Sequence, residues 1–339
     1  MKRWLKVMGV TLAAVLGAGA LLLFTPITDP RLAAHPDRAA NYSEAASRIE
    51  SIVAQEQGLD LIEEGHSIAL LTGSQTTTSV VIFHGYTSVP RQFRLVAEGY
   101  RAQGMNVWVP RLPYHGQVDR MTEDFSKITA EGLRDFADDS IDIAAGLGEH
   151  VIVIGFSGGG GMATWAGAER EEVARTVLIS PLLHPLGYPE WQARPLVRAI
   201  RLLPFDIYDW WDAEKKDADI EGYNYPRYSL KGIAALLSLG HYVDVRAADG
   251  AYPALAPVLL VRNDGDQRLD SAYNERYARR VARPGHLEVY RIPARAQLLH
   301  NFISPEPFGE SYPRITEAYR YLSEALGVAL PDPLEAARE

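Results

Sequence analysis

Short apolar runs alternate with longer amphipathic stretches along most of this chain. The runs at 67–72, 79–83, 106–110, 151–154, 176–180, 257–261 and 286–292 are rich in Val, Ile and Leu and predict strands. Between them, apolar positions recur at helical spacing over 43–57, 90–103, 129–147, 158–169, 271–281 and 311–326. In the first of these, Ala46, Ile49, Ile52 and Val53 share one face, and Ser43 is placed to cap it. Continuous apolar strands separated by helices indicate an α/β fold, with a mainly parallel sheet covered on both faces.

The rhythm breaks once. Between Ile179 and Val258 there are about 80 residues, where one strand–helix–strand step needs roughly 30. The extra segment, about 183–253, is helical in pattern and aromatic, with Trp191, Phe205, Tyr208, Trp210 and Trp211 among its residues. It predicts an insertion over one edge of the sheet. The other departure is at the start. Three positive charges in M-K-R-W-L-K precede an uncharged run from Val7 to Phe24. Eighteen residues at about 1.5 Å each reach roughly 27 Å, enough for a thin bilayer. Ala18-Gly19-Ala20 resembles a cleavage site, but Leu21, Leu22, Leu23 and Phe24 follow it where a mature terminus would turn polar. The expectation is an uncleaved signal-anchor over 1–30, holding the chain to the membrane with its body outside the cytoplasm. A linker and helix (31–62), a globular body (63–330) and a short tail (331–339) follow.

Composition narrows the chemistry. The net charge is −9 and the 34 Lys and Arg form no dense cluster, so no nucleic-acid footprint exists. Cysteine is absent, which excludes disulfides, thiolate metal sites and a Cys nucleophile. What remains is concentrated at V-I-V-I-G-F-S-G-G-G-G, residues 151–161. Gly155-Phe156-Ser157-Gly158-Gly159 matches G-x-S-x-G, in which a strand turns straight into a helix at Ser. Such a turn needs small residues two positions either side, and it projects the hydroxyl above the sheet edge at a helix N-terminus. No G-K-[ST] follows, and the spacing fits no dinucleotide fingerprint, so a phosphate loop is disfavoured.

A Ser hydroxyl is a weak nucleophile and needs a base, itself oriented by a carboxylate. On this scaffold the order should be Ser, acid, His. Asp264, Asp266 and Asp270 lie just beyond the 257–261 strand. Asp264-Gly265 reads as a turn and Asp270 as the cap of the next helix, leaving Asp266 as the acid. His300 lies between the last strand and the last helix and is the candidate base. Acyl chemistry also needs two donors for an oxyanion. The N–H of Gly158 is one, and the N–H of Tyr86, in F-H-G-Y-T, is the other. His84 reads as an internal hydrogen-bonding residue stiffening that loop.

At this point the sequence resembles the α/β-hydrolase superfamily, most closely its bacterial serine carboxylesterases and monoacylglycerol-lipase-like hydrolases. The matching pieces are F-H-G-Y-T-S (83–88), V-P-R-L-P-Y-H-G (109–116), G-F-S-G-G (155–159), the strand leading to Asp266, and L-L-H-N-F (298–302). The resemblance implies a mostly parallel eight-stranded sheet with a helical lid inserted after the sixth strand. It implies hydrolysis of carboxylic esters through an acyl-enzyme on Ser157, with no metal and no cofactor. His300 would be base, Asp266 its orienting acid, Tyr86 and Gly158 the oxyanion donors, and His115 a structural residue of its loop. The aromatic insertion points to a small apolar acyl or aryl ester as partner. Acyl transfer, amide or peptide cleavage, and a non-catalytic envelope binding role remain open on sequence grounds, as does the oligomeric state.

Overall fold

The computed structural model describes residues 17, 19, 22–26, 28–211, 222–250, 256–304 and 314–336. Most of the apolar run read as a signal-anchor therefore lies outside the described residues, as do 212–221 and 251–253 of the insertion and the end of the tail. Among the described residues no helix is long and apolar enough to cross a membrane.

Helix α1 (Tyr42–Glu56) is capped by Asn41, whose side chain accepts from Glu44 N, and not by Ser43. The strands β1 (Ile68–Leu70) and β2 (Thr76–Phe83) follow, then a 3-10 turn over Pro90–Phe93 that runs into α2 (Arg94–Ala102). Next come β3 (Asn106–Val109), α3 (Ala130–Leu147), β4 (Gly148–Phe156), α4 (Gly159–Glu169) and β5 (Val173–Ile179). The insertion contributes α5 (Glu190–Leu202), the short strands β6 (Tyr208–Trp210) and β7 (Arg227–Ser229), and α6 (Leu230–Ala248). The chain then returns to the sheet with β8 (Val258–Asn263), α7 (Ser271–Val281), β9 (Leu287–Ile292) and α8 (Ile315–Leu326).

Among the described residues seven strands form the main sheet, in the order β1-β3-β2-β4-β5-β8-β9, one fewer than the resemblance implies. Only β1 is antiparallel. Among the described residues the chain ahead of β1 adds no strand to the sheet: Leu61 makes one isolated bridge to Gln117, and Glu63–Gly65 then coils into a 3-10 turn. With one strand fewer, the insertion follows the fifth strand of the chain and not the sixth. It also contains a two-stranded antiparallel ribbon, β6 with β7, that a purely helical reading missed.

Alternate residues of the central strands feed two separate cores. Val81, Phe83, Val153 and Leu178 pack with α3, α4 and α6, while Val80, Ile82, Ile154 and Val177 pack with α2 and α8. This two-sided burial explains why the strands read as unbroken apolar runs. Register aligns their C-terminal ends: Phe83 pairs with Gly155, Phe156 with Ile179, Ile179 with Val261, and Asn263 with Ile292. The chain after each of those ends is thus delivered to one edge of the sheet.

The stretch before α1, read as a linker and carrying Pro26, Pro30 and Pro36, is docked on the domain as a strap. Leu32 is buried and its carbonyl accepts from Trp165 Nε1 at 2.7 Å. The N–H groups of His35 and Asp37 donate to Asp138 and Asp142 on α3. Beneath them Arg170 is fully buried and bridges Asp138, Asp142 and Glu172. Removing one member of so buried a cluster would leave charges unpaired and be strongly destabilising.

Candidate active site

Ser157 sits between β4 and α4 with φ +49°, a left-handed conformation that costs a non-glycine residue about 1–2 kcal/mol. The turn is held by Ser157 N donating to Ile179 O at 3.1 Å, and by Ser157 O accepting from Leu182 N at 2.7 Å and Gly160 N at 2.9 Å. The glycines around it are steric necessities. A Cβ on Gly155 would lie 2.4 Å from Gly159 O, and one on Gly159 would lie 2.1 Å from Phe83 O. Helix α4 therefore starts hard against β2 and β4, which only hydrogen side chains allow.

The loops after β4, β8 and β9 bring Ser157, Asp266 and His300 into one series. His300 Nε2 is 2.9 Å from Ser157 Oγ, and His300 Nδ1 is 2.7 Å from Asp266 Oδ2. A carboxylate only accepts, so Nδ1 carries the proton and Nε2 is free to accept from the serine hydroxyl. The Asp266 side chain is wholly buried, and its other oxygen accepts from Arg268 N at 2.8 Å. The two neighbouring aspartates are elsewhere: Asp270 caps α7 through Tyr273 N at 2.8 Å, and Asp264 pairs with Arg262.

Tyr86 stands beside the serine. A Cβ placed on Gly158 would lie 2.7 Å from Tyr86 Cβ and 3.1 Å from Tyr86 N. Among the described residues neither Tyr86 N nor Gly158 N donates a hydrogen bond, so both are available to an anion at this spot. The loop carrying Tyr86 is braced by two histidines. His84 Nδ1 donates to Gly85 O at 2.9 Å and its Nε2 accepts from Leu112 N at 3.2 Å. His115 Nε2 meets Tyr86 O. Burial holds both rings neutral, pushing His84 well below the usual range and His115 down to about 4. Both are therefore braces of the loop.

Some residues at this edge carry no motif. Phe156 stacks on His300, and Gln92, Asn263 and Asn301 hydrogen-bond between the loops. Phe156 occupies the variable position of G-x-S-x-G, and buried amides look like turn residues in sequence. The insertion lies above: Leu236 Cδ1 would be 3.1 Å from a Cβ on Gly158, Tyr225 N donates to Thr87 O at 2.8 Å, and Arg268 lies over the Trp211 ring. Ser157 retains only 8% exposure beneath it.

A parallel sheet whose C-terminal edge joins a serine on a strand–helix turn to an imidazole and a buried carboxylate defines the α/β hydrolases as a class. The sequence agrees. The pattern of the alpha/beta hydrolase family matches residues 80–303, and the chain belongs to that family. No curated protein matches the chain in sequence. Among solved structures, it resembles one described with LipS and LipT, two metagenome-derived lipolytic enzymes, at TM-score 0.57 and 17% identity, over 79% of this chain and 99% of that one. It also resembles a soluble variant of monoglyceride lipase from Saccharomyces cerevisiae (TM-score 0.52, 13% identity, 77% and 91% of the two chains). A third likeness is to monoacylglycerol lipase from Paleococcus ferrophilus (TM-score 0.50, 16% identity, 67% and 88%). At these identities the likeness is one of fold.

Proposed function

We propose that this protein is a serine hydrolase that cleaves carboxylic esters of apolar acyl or aryl groups through an acyl-enzyme on Ser157. The observation that carries the reading is the unbroken series from Ser157 Oγ through His300 to Asp266, at 2.9 and 2.7 Å. In this mechanism Ser157 Oγ attacks the ester carbonyl carbon while His300 Nε2 takes its proton. The oxyanion forms against the N–H groups of Tyr86 and Gly158, each donor worth about a hundredfold to a thousandfold in rate. Asp266 holds the Nδ1–H and stabilises the imidazolium. Collapse breaks the bond to the alcohol, which leaves with the proton from His300. Water, deprotonated by the same nitrogen, then releases the acid and restores Ser157.

The apolar substrate class is supported by the aromatic character of the insertion and by structural neighbours named as lipolytic enzymes and monoglyceride lipases. The insertion, about 183–253 within a body of 63–330, serves as the lid. The uncharged run at 7–24 supports retention at the membrane, with the body outside the cytoplasm. The test is to expose the full chain and Ser157→Ala to a fluorophosphonate and to p-nitrophenyl esters of rising acyl length. Labelling and turnover confined to the serine-bearing chain support the reading. Labelling without ester turnover moves the assignment to amide, peptide or transfer chemistry, and no labelling moves it to a binding role.

A further inference from the structure

Three side-chain amides link the loops at the candidate site to one another, and among the described residues none of them hydrogen-bonds to Ser157. Asn263, the fully buried last residue of β8, accepts from Gly265 N at 3.0 Å and donates through Nδ2 to Leu298 O at 3.0 Å. Its backbone carbonyl accepts from Asp266 N at 3.2 Å. This residue thus spans the acid loop and the loop that carries His300. On the other side of His300, Asn301 Oδ1 accepts from Gln92 Nε2 at 2.9 Å, while Gln92 Oε1 accepts from Gly85 N at 2.9 Å. Gln92 is buried and spans the His300 loop and the loop that carries Tyr86.

The consequence concerns the Tyr86 N–H. That group shares a peptide plane with Gly85 C=O, which already accepts from His84 Nδ1 at 2.9 Å and Ser88 N at 3.0 Å. With Gly85 N held by Gln92, the peptides on both sides of Gly85 are fixed, and Tyr86 N is left pointing free. A donor must sit within a few tenths of an ångström of an oxyanion to be effective, and a misplacement of about 1 Å can cost a hundredfold.

We infer that Gln92 and Asn301 are positioning residues, which set the Tyr86 amide in register with the His300 ring so that proton transfer and oxyanion binding occur in one geometry. This rests on the Ser157 reading above. Asn263 performs the matching task between Asp266 and His300. The amides act through the loops they join.

The experiment measures kcat and KM for a p-nitrophenyl ester in the full chain, with kcat expressed per serine titrated by fluorophosphonate. The variants are Gln92→Met, Asn301→Ala and the double substitution. Each single change should lower kcat per titrated site by about tenfold to a hundredfold and leave KM within about twofold. The double variant should fall no more than about twofold below the worse single, because both changes break one linkage. A single variant whose kcat per titrated site stays within twofold of wild type overturns the inference, as do two losses that multiply. Should Gln92→Met yield no titratable protein, Asn301→Ala alone decides, since Asn301 is only partly buried. Failure of the wild-type chain itself to label would instead refute the Ser157 reading.

Discussion

Phe156 lies face to face with His300, the ring centroids 5.1 Å apart and the planes 24° from parallel. The residue before the proposed nucleophile is therefore the floor under the proposed base. Phe302 and Phe93 meet the same ring edge-on at 6.1 and 6.3 Å, which fixes its plane. Leucine at 156 would fill much of the volume but offer no flat face. Phe156→Leu is expected to lower ester turnover by about fivefold, from loss of an aromatic pair worth roughly 1 kcal/mol. Steady-state kinetics on protein matched for serine titration checks this.

Ser157 holds a left-handed backbone that glycine adopts freely. Relief of about 1–2 kcal/mol of strain exceeds the roughly 0.5–1 kcal/mol that glycine loses in chain entropy. Ser157→Gly should thus be more stable than Ser157→Ala by about 0.5–1 kcal/mol, while neither turns over ester. Urea midpoints of the two inactive variants make the comparison, and equal midpoints would place no strain at the turn.

His241 on α6 is buried with Nε2 unpartnered among the described residues. Burial pushes its pKa down to about 3, aided by Arg194, His184 and Arg198 and opposed by Asp244. The unfolded chain takes up a proton near the ordinary value of about 6.5. This group's contribution to stability is therefore full above that value and falls as pH drops from about 6.5 towards 3. His241→Leu should retain stability at pH 7.5 and lose less than wild type on moving to pH 5, by on the order of 1–2 kcal/mol. Urea titrations at the two pH values read the difference directly, and parallel losses would contradict it.

Much of the fold was legible because burial on both faces of a parallel sheet leaves unbroken apolar runs, and the strand at 151–154 fell inside β4 for that reason. The assignment of Asp270 as a cap followed from its place before a helix, and the structure shows that bond. His84 was legible as an internal brace from its position in the glycine loop. Other features leave no such trace. The β6 and β7 strands are three residues each, too short for a period to emerge. The docking of the proline-rich strap rests on backbone N–H groups meeting Asp138 and Asp142, which no side-chain pattern in the strap announces. The amides that join the loops are likewise invisible, since Asn and Gln near a turn look like turn chemistry until the partner loops are seen together.

In the proposed mechanism Ser157 forms the covalent intermediate with His300 as its base. The most direct test is to trap the intact chain during turnover of a slowly deacylating p-nitrophenyl ester, then map the added mass by peptide sequencing. Wild type is expected to carry one acyl group on the peptide containing Ser157, with Asp266→Asn forming it about a thousandfold to ten-thousandfold more slowly and Ser157→Ala never. An acyl group on any other residue, or turnover that survives Ser157→Ala, would contradict the account.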